Sequence, residues 1–153
     1  MDVPEYVSQT EVRRVCQELG IRDWTALAEA QVPAEEARII QANVGAEAEL
    51  ISVEEFRRGL EVELEHGLVF PDANVTNNHP ILTGKIVLAH LKEMLDYYAR
   101  LEVAELEGDL LKASRAGDAE KLAQKYRQLL EARAELSAGE TSAGSEGNSP
   151  RDR

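Results

Sequence analysis

Residues 52–102 read SVEEFRRGLEVELEHGLVFPDANVTNNHPILTGKIVLAHLKEMLDYYARLE, and the fold turns on how that stretch is parsed. Ser52 followed by Glu55 is a capping box: the hydroxyl accepts the backbone N–H three residues on, and a helix opens. Val53, Phe56, Leu60 and Leu64 then share one face at about 100° per residue, the period of an amphipathic helix. Gly67 is the expected stop. From there to His79 the chain is rich in Pro, Asp and Asn, whose side chains bond their own backbone in turns. A second helix is expected to restart at about Pro80 to Thr83, with His79 as its cap. Its stripe is Val87, Leu91, Met94, Tyr98 and Leu101. No glycine or proline stops it after Leu101, so it is expected to run on to about Ala113.

The flanking segments follow from the same local chemistry. Ser8 and Glu11 form another capping box, so a first helix begins near Gln9, buries Val12, Val15, Cys16 and Leu19, and ends at Gly20 in a left-handed cap. Asp23 caps a short helix holding Trp24, Leu27 and Ala28. Pro33, followed by AEEARIIQANVG, opens another with Ala37, Ile40 and Val44 inward and Gly45 at its end. Towards the C-terminus, Ala116-Gly117-Asp118 is a turn with a good N-cap. Leu122, Tyr126, Leu129 and Leu130 stripe a last helix that ends near Leu136. The last two helices are expected to pair as an antiparallel hairpin. Residues 137–153 hold no apolar side chain larger than alanine and are expected to be a disordered tail.

These elements predict an all-α chain: a small bundle of about six helices in one domain, built on the central pair. Residues 1–51 supply short helices that pack on the core, 52–107 the central helix-loop-helix and 108–136 the hairpin arm. Composition agrees. Apolar residues make up 43% and aromatics only 5%, with Val and Ile scattered rather than alternating. The formal charge of −12 excludes nucleic acid as a natural partner, because a phosphate backbone would be repelled. No stretch is apolar for long enough to cross a membrane. The lone Cys16 excludes an intramolecular disulfide and, with its helical spacing, reads as a core thiol. The first residues carry neither a basic region nor an apolar run, so a cytoplasmic protein is expected.

One constellation carries recognisable chemistry. Gly59, Glu63 and His66 lie on a flank of the first central helix, and Ile86, His90, Glu93 and Tyr97 on a flank of the second. If the flanks meet, Glu63, His66, His90 and Glu93 form a two-imidazole, two-carboxylate shell suited to iron, zinc or manganese. Gly59 leaves room for a close approach, and Tyr97 is placed to hydrogen-bond a ligand from outside. The competing reading is structural. His66 then faces the negative end of its helix dipole, Glu61, Glu63 and Glu65 form a solvated face, and His90 and Glu93 are a surface pair. Gly84-Lys85 lacks the glycine spacing of a phosphate-binding loop. The Asn74-Val75-Thr76 side chains are read as fixing their loop.

With these motifs in hand, GLEVELEHG, NVTN, LTGKIVLAHL and DYYARL resemble an uncharacterised family of small bacterial proteins, a domain of unknown function, over residues 52–102. Two departures from its pattern stand out. Asn78-His79 replace a frequent acidic pair, and Leu95 replaces a frequent proline whose loss should let the second helix run on. The resemblance implies a fold unit and no reaction. Two functions are therefore expected as alternatives. The first is a transition-metal protein with a ferritin-like or hemerythrin-like Glu/His site. The second is a non-enzymatic helical adaptor, or homodimer, that docks through its C-terminal hairpin.

Overall fold

A computed structural model describes the backbone of residues 7–146 and the side chains of residues 7–140. The described residues are all-helical, with six α-helices: α1 (Gln9–Leu19), α2 (Ala34–Val44), α3 (Val53–Val69), α4 (Pro80–Glu93), α5 (Tyr97–Ala116) and α6 (Ala119–Glu146). Single 3₁₀ turns stand at Trp24–Ala26, Ala48–Leu50 and Pro71–Ala73. Tertiary contacts divide the chain into two compact units, with the boundary between Leu95 and Asp96.

In the first unit the expected caps are present. The Ser8 hydroxyl accepts from Glu11 N–H and the Ser52 hydroxyl from Glu55 N–H, both at 3.2 Å. Gly20 ends α1 with φ +67°, and Ile21 N–H reaches back to the Cys16 carbonyl at 3.0 Å, closing a Schellman cap. The helix expected after Asp23 is a single 3₁₀ turn, with Leu27 already extended. At the α4 start, His79 Nδ1 accepts the N–H groups of Ile81 at 3.2 Å and Leu82 at 3.4 Å.

That cap works only while the imidazole is neutral, and it makes folding sensitive to acid. Burial pushes His79 below the usual imidazole range, with Glu11 pulling back more weakly. The folded chain thus binds this proton less readily than the unfolded chain. The cap's stability is present above about pH 6.5 and is lost as pH falls from there through the lower folded value. His79→Asn keeps an acceptor that does not titrate, so its urea-unfolding stability should fall less between pH 7.5 and pH 5 than the wild type's. His79→Ala should cost about 1 kcal/mol at pH 7.5. Parallel pH profiles for wild type and His79→Asn would remove the cap from the account.

The core of this unit sits where α3 and α4 pack on each other and on α2, with α1 laid against α4. Val12, Cys16, Trp24, Ile40, Phe56, Leu60, Leu64, Val87 and Leu91 are fully buried there. Cys16 is a core thiol, as its spacing indicated, and burial pushes its pKa up. Gln41 pins the connection into α3, its amide donating to the carbonyls of Ala48 at 2.7 Å and Ile51 at 2.9 Å.

Gly84 explains itself by this packing. A Cβ there would lie 2.6 Å from Val44 Cγ2 and 3.1 Å from Ile40 Cγ2, methyls of β-branched side chains that a helix holds in one rotamer. Gly84→Ala should therefore cost about 1–2 kcal/mol, with crowding outweighing the better helix propensity of alanine. Urea denaturation checks it. An unchanged midpoint would mean that α2 gives way freely.

Two expected boundaries move. Gly67 does not end α3, which continues to Val69 and closes at Phe70. The second central helix does not run into the hairpin either. It stops at Glu93, Met94 is extended (φ −150°, ψ 127°), and α5 begins at Tyr97 after Asp96. Neither glycine nor proline makes this break. Asp96 stands at the start of α5, where its carbonyl accepts Arg100 N–H and its carboxylate meets the Arg100 guanidinium at 2.7 Å. That guanidinium holds the Asp96 carboxyl below the usual carboxylate range.

In the second unit α5 and α6 pack as the expected hairpin, turning at Gly117 (φ +68°), with the Asp118 carboxylate accepting Lys121 N–H at 2.9 Å. Leu106, Leu129 and Ala132 form its buried seam, extended by Val103 and Leu110. Asp109 is held by Lys112 at 3.2 Å and Lys125 at 2.9 Å. The last helix does not end near Leu136 but continues to Glu146. The rest of the expected disordered tail, residues 147–153, lies outside the described residues.

Candidate functional site

Two of the four candidate ligands, His90 from α4 and His66 from α3 itself, lie beside the carboxylate of a third, Glu63. Glu63 Oε1 lies 3.1 Å from His90 Nδ1, across the helix pair. Its other oxygen lies 3.9 Å from His66 Nδ1, one turn further along α3. The Glu63 side chain is 15% exposed, that of His90 31% and that of His66 50%, so the cluster grades from a sheltered acid to a solvent-facing ring. Each imidazole nitrogen faces a different oxygen of the same carboxylate. Among the described residues, no three His, Cys, Asp or Glu side chains stand close enough together to hold one metal ion.

The remaining candidates take other places. Glu93 is exposed as the last residue of α4. Gly59 is buried on α3. Tyr97 belongs to the second unit, where its ring meets Tyr98 edge-on at 5.2 Å.

Beside Glu63 and His66 opens a cleft of about 210 Å³, also lined by Asn74, Thr76, Thr83 and Ile86. Its wall is set by the loop. Asn74 Nδ2 donates to the Gly67 carbonyl at 3.1 Å and to Asn78 Oδ1 at 2.8 Å, and Thr76 Oγ1 donates to Asn74 Oδ1 at 3.3 Å. Asn77 and Asn78 take left-handed φ values of 49° and 59°, which asparagine tolerates better than most residues. Asn77 also donates to the Val7 carbonyl at 2.5 Å, tying the loop to the start of α1. The loop side chains therefore fix their own loop, as their composition indicated.

A separate polar feature had no signal in helical periodicity. Glu36 is buried on α2, where it accepts the Trp24 indole N–H at 2.5 Å and the Arg22 guanidinium at 2.7 Å. Its position in the first turn after a proline reads as dipole compensation, and only the tertiary contact with Trp24 reveals the pairing.

No curated protein and no solved structure matches the chain. A family model does match, over residues 12–107, from the buried face of α1 to midway along α5. The match takes in the N-terminal helices that the motif resemblance left out, and it leaves out all of α6. On that match the chain belongs to the family described as protein of unknown function (DUF5661).

Proposed function

We propose that the protein is a non-enzymatic docking adaptor whose C-terminal helical hairpin binds another protein. One observation carries this reading. Leu111, Tyr126 and Leu130 are 52%, 55% and 50% exposed on the hairpin, although the seam between its helices is already filled by Leu106, Leu129 and Ala132. Next to them lies a groove of about 630 Å³ lined by Leu110, Leu111, Ser114, Ala119, Leu122, Ala123 and Tyr126, with no charged side chain among them. A second apolar face, beyond the one that holds the hairpin together, has a use when a partner covers it. The groove lies outside the residues matched by the family model.

A photo-crosslinking amino acid in place of Tyr126 should give one discrete adduct in the cells that make the protein. Leu111→Ser should remove that adduct, and a His66→Ala, His90→Ala double variant should leave it intact. If a crosslinker at the exposed Gln17 on α1 gives the same adduct, the groove is not the contact.

A second reading, transition-metal binding, draws on the way Glu63 presents one oxygen to each imidazole. Iron, zinc or manganese at this point would replace the Glu63–His90 contact and require the His66 ring to close on the same ion. Elemental analysis of chelator-free protein tests it: about one metal per chain, lost in the His66→Ala, His90→Ala variant, is the supporting result. Stoichiometry near zero overturns it. Among the described residues no helix is long and apolar enough to cross a membrane.

A further inference from the structure

We infer that the cleft beside Glu63 binds a small primary ammonium compound with a short hydrocarbon body. The site lies in the family domain and stands apart from the docking reading. At about 210 Å³ the cleft is smaller than the roughly 300–1,000 Å³ of drug-sized sites, so its occupant has only a few carbons. Phe70, Val75 and Ile86 line it and are 54%, 84% and 36% exposed, which gives a hydrocarbon body apolar surface to cover.

The hydrogen-bond inventory selects the head group. The loop donors in the lining are already spent. Asn74 Nδ2 donates to the Gly67 carbonyl and to Asn78 Oδ1, and the Thr76 hydroxyl donates to Asn74 Oδ1. Acceptors remain. The Thr76 oxygen keeps its lone pairs, and Thr83, only 3% exposed, brings a second hydroxyl to the wall. Glu63 Oε2 lies on the side of His66, at 3.9 Å, and both residues line the cleft. An ionised carboxylate offers about four lone-pair sites, so contacts with two imidazoles do not exhaust it. A primary ammonium carries three N–H donors, one for the carboxylate and one for each hydroxyl.

Charge selects in the same direction. With histidine counted as neutral, Glu63 is the one charge in the lining, and the described residues there include no lysine or arginine. A carboxylate or phosphate ligand would meet an acid and no cation. An ammonium meets a sheltered acid, 15% exposed, where a charge-assisted hydrogen bond is stronger than at the open surface. The formal charge of −12 also draws cations towards the chain.

Four probes sharing one butyl chain test this on the full protein: n-butylammonium, n-butyltrimethylammonium, n-butanol and butyrate. The readout is two-dimensional ¹H–¹⁵N NMR at neutral pH, with EDTA present so that no metal mediates binding. The Gly67, Thr76 and Thr83 amide signals should shift saturably with n-butylammonium, at a half-saturation point at least about tenfold below that of the other three. Glu63→Gln keeps the side chain's size and removes its charge. It should raise the ammonium's half-saturation point to that of butanol while leaving the spectrum dispersed. If that variant failed to fold, the comparison of probes on the unaltered chain would still decide.

Equal affinity for n-butylammonium and butanol would overturn the proposal, as would butyrate binding more tightly than either. A trimethylammonium probe that matched the primary amine would show that charge alone is read, and would overturn the donor match. Shifts that survive Glu63→Gln unchanged, or that spread over the acidic surface without saturating, would move binding away from this cleft and overturn it too. So would the absence of any shift.

Discussion

Gly67→Ala is expected to destabilise the family domain by about 2–3 kcal/mol, even though alanine is the better helix former by up to about 1 kcal/mol. The reason is the loop folded onto this face of α3. A Cβ at position 67 would collide with the Asn78 amide and stand 2.8 Å from Asn74 Nδ2. Neither group can step aside cheaply. Asn78 is buried and sits at φ 59°, and its Oδ1 accepts the same Asn74 amide that holds the Gly67 carbonyl. Pushing Asn78 out leaves buried polar groups unpaired, at about 1–3 kcal/mol each, on top of the crowding itself. Gly108→Ala is the control: it is also helical, but nothing lies within 4 Å of its would-be Cβ, so it should be neutral or slightly stabilising. Equal urea midpoints for the two variants would mean that the loop does not rest on α3.

That glycine also shows where sequence patterns stop informing. A glycine after an amphipathic run is most simply a helix stop, because its two uses, ending a helix and clearing space for a neighbour, look alike along the chain. The neighbour here is Asn78, eleven positions on, and only the folded loop brings it there. Features decided by adjacent residues were legible: the Ser8, Ser52, His79 and Asp118 caps, the Gly20 and Gly117 turns, the Cys16 and Phe56 stripes, and the hairpin. Features decided by distant contacts were not. Periodicity passed straight through Met94, because an acid at a helix start is a weak signal beside an unbroken stripe from Val87 to Leu101. The candidate site was half legible. Helical spacing placed Glu63 and His90 on facing flanks, and they do meet. It could not say that Glu93, one turn further along α4, ends exposed where the helix stops.

The buried carboxylate on α2 gives the other large expectation: Glu36→Ala should cost about 2–4 kcal/mol, and Glu36→Gln distinctly less. Alanine removes the acceptor for the Trp24 indole N–H at a site from which water is excluded, since Trp24 is fully buried. The indole proton is then left unpaired in the core. Arg22 loses a partner too, but its side chain is 43% exposed and still donates to the Gln31 carbonyl at 2.7 Å, so water repairs most of that loss. Glutamine keeps an oxygen for the indole and gives up only the charge, which makes the pair of variants a separation of hydrogen bond from ion pair. Trp24 is the chain's single tryptophan, so its emission reports on this contact directly. In the native state Glu36→Ala should shift that emission and Glu36→Gln should scarcely move it, with urea midpoints following the same order. If glutamine proved as damaging as alanine, the Arg22 charge would be the main term, and α2 would be anchored by electrostatics at its exposed edge rather than by the indole within.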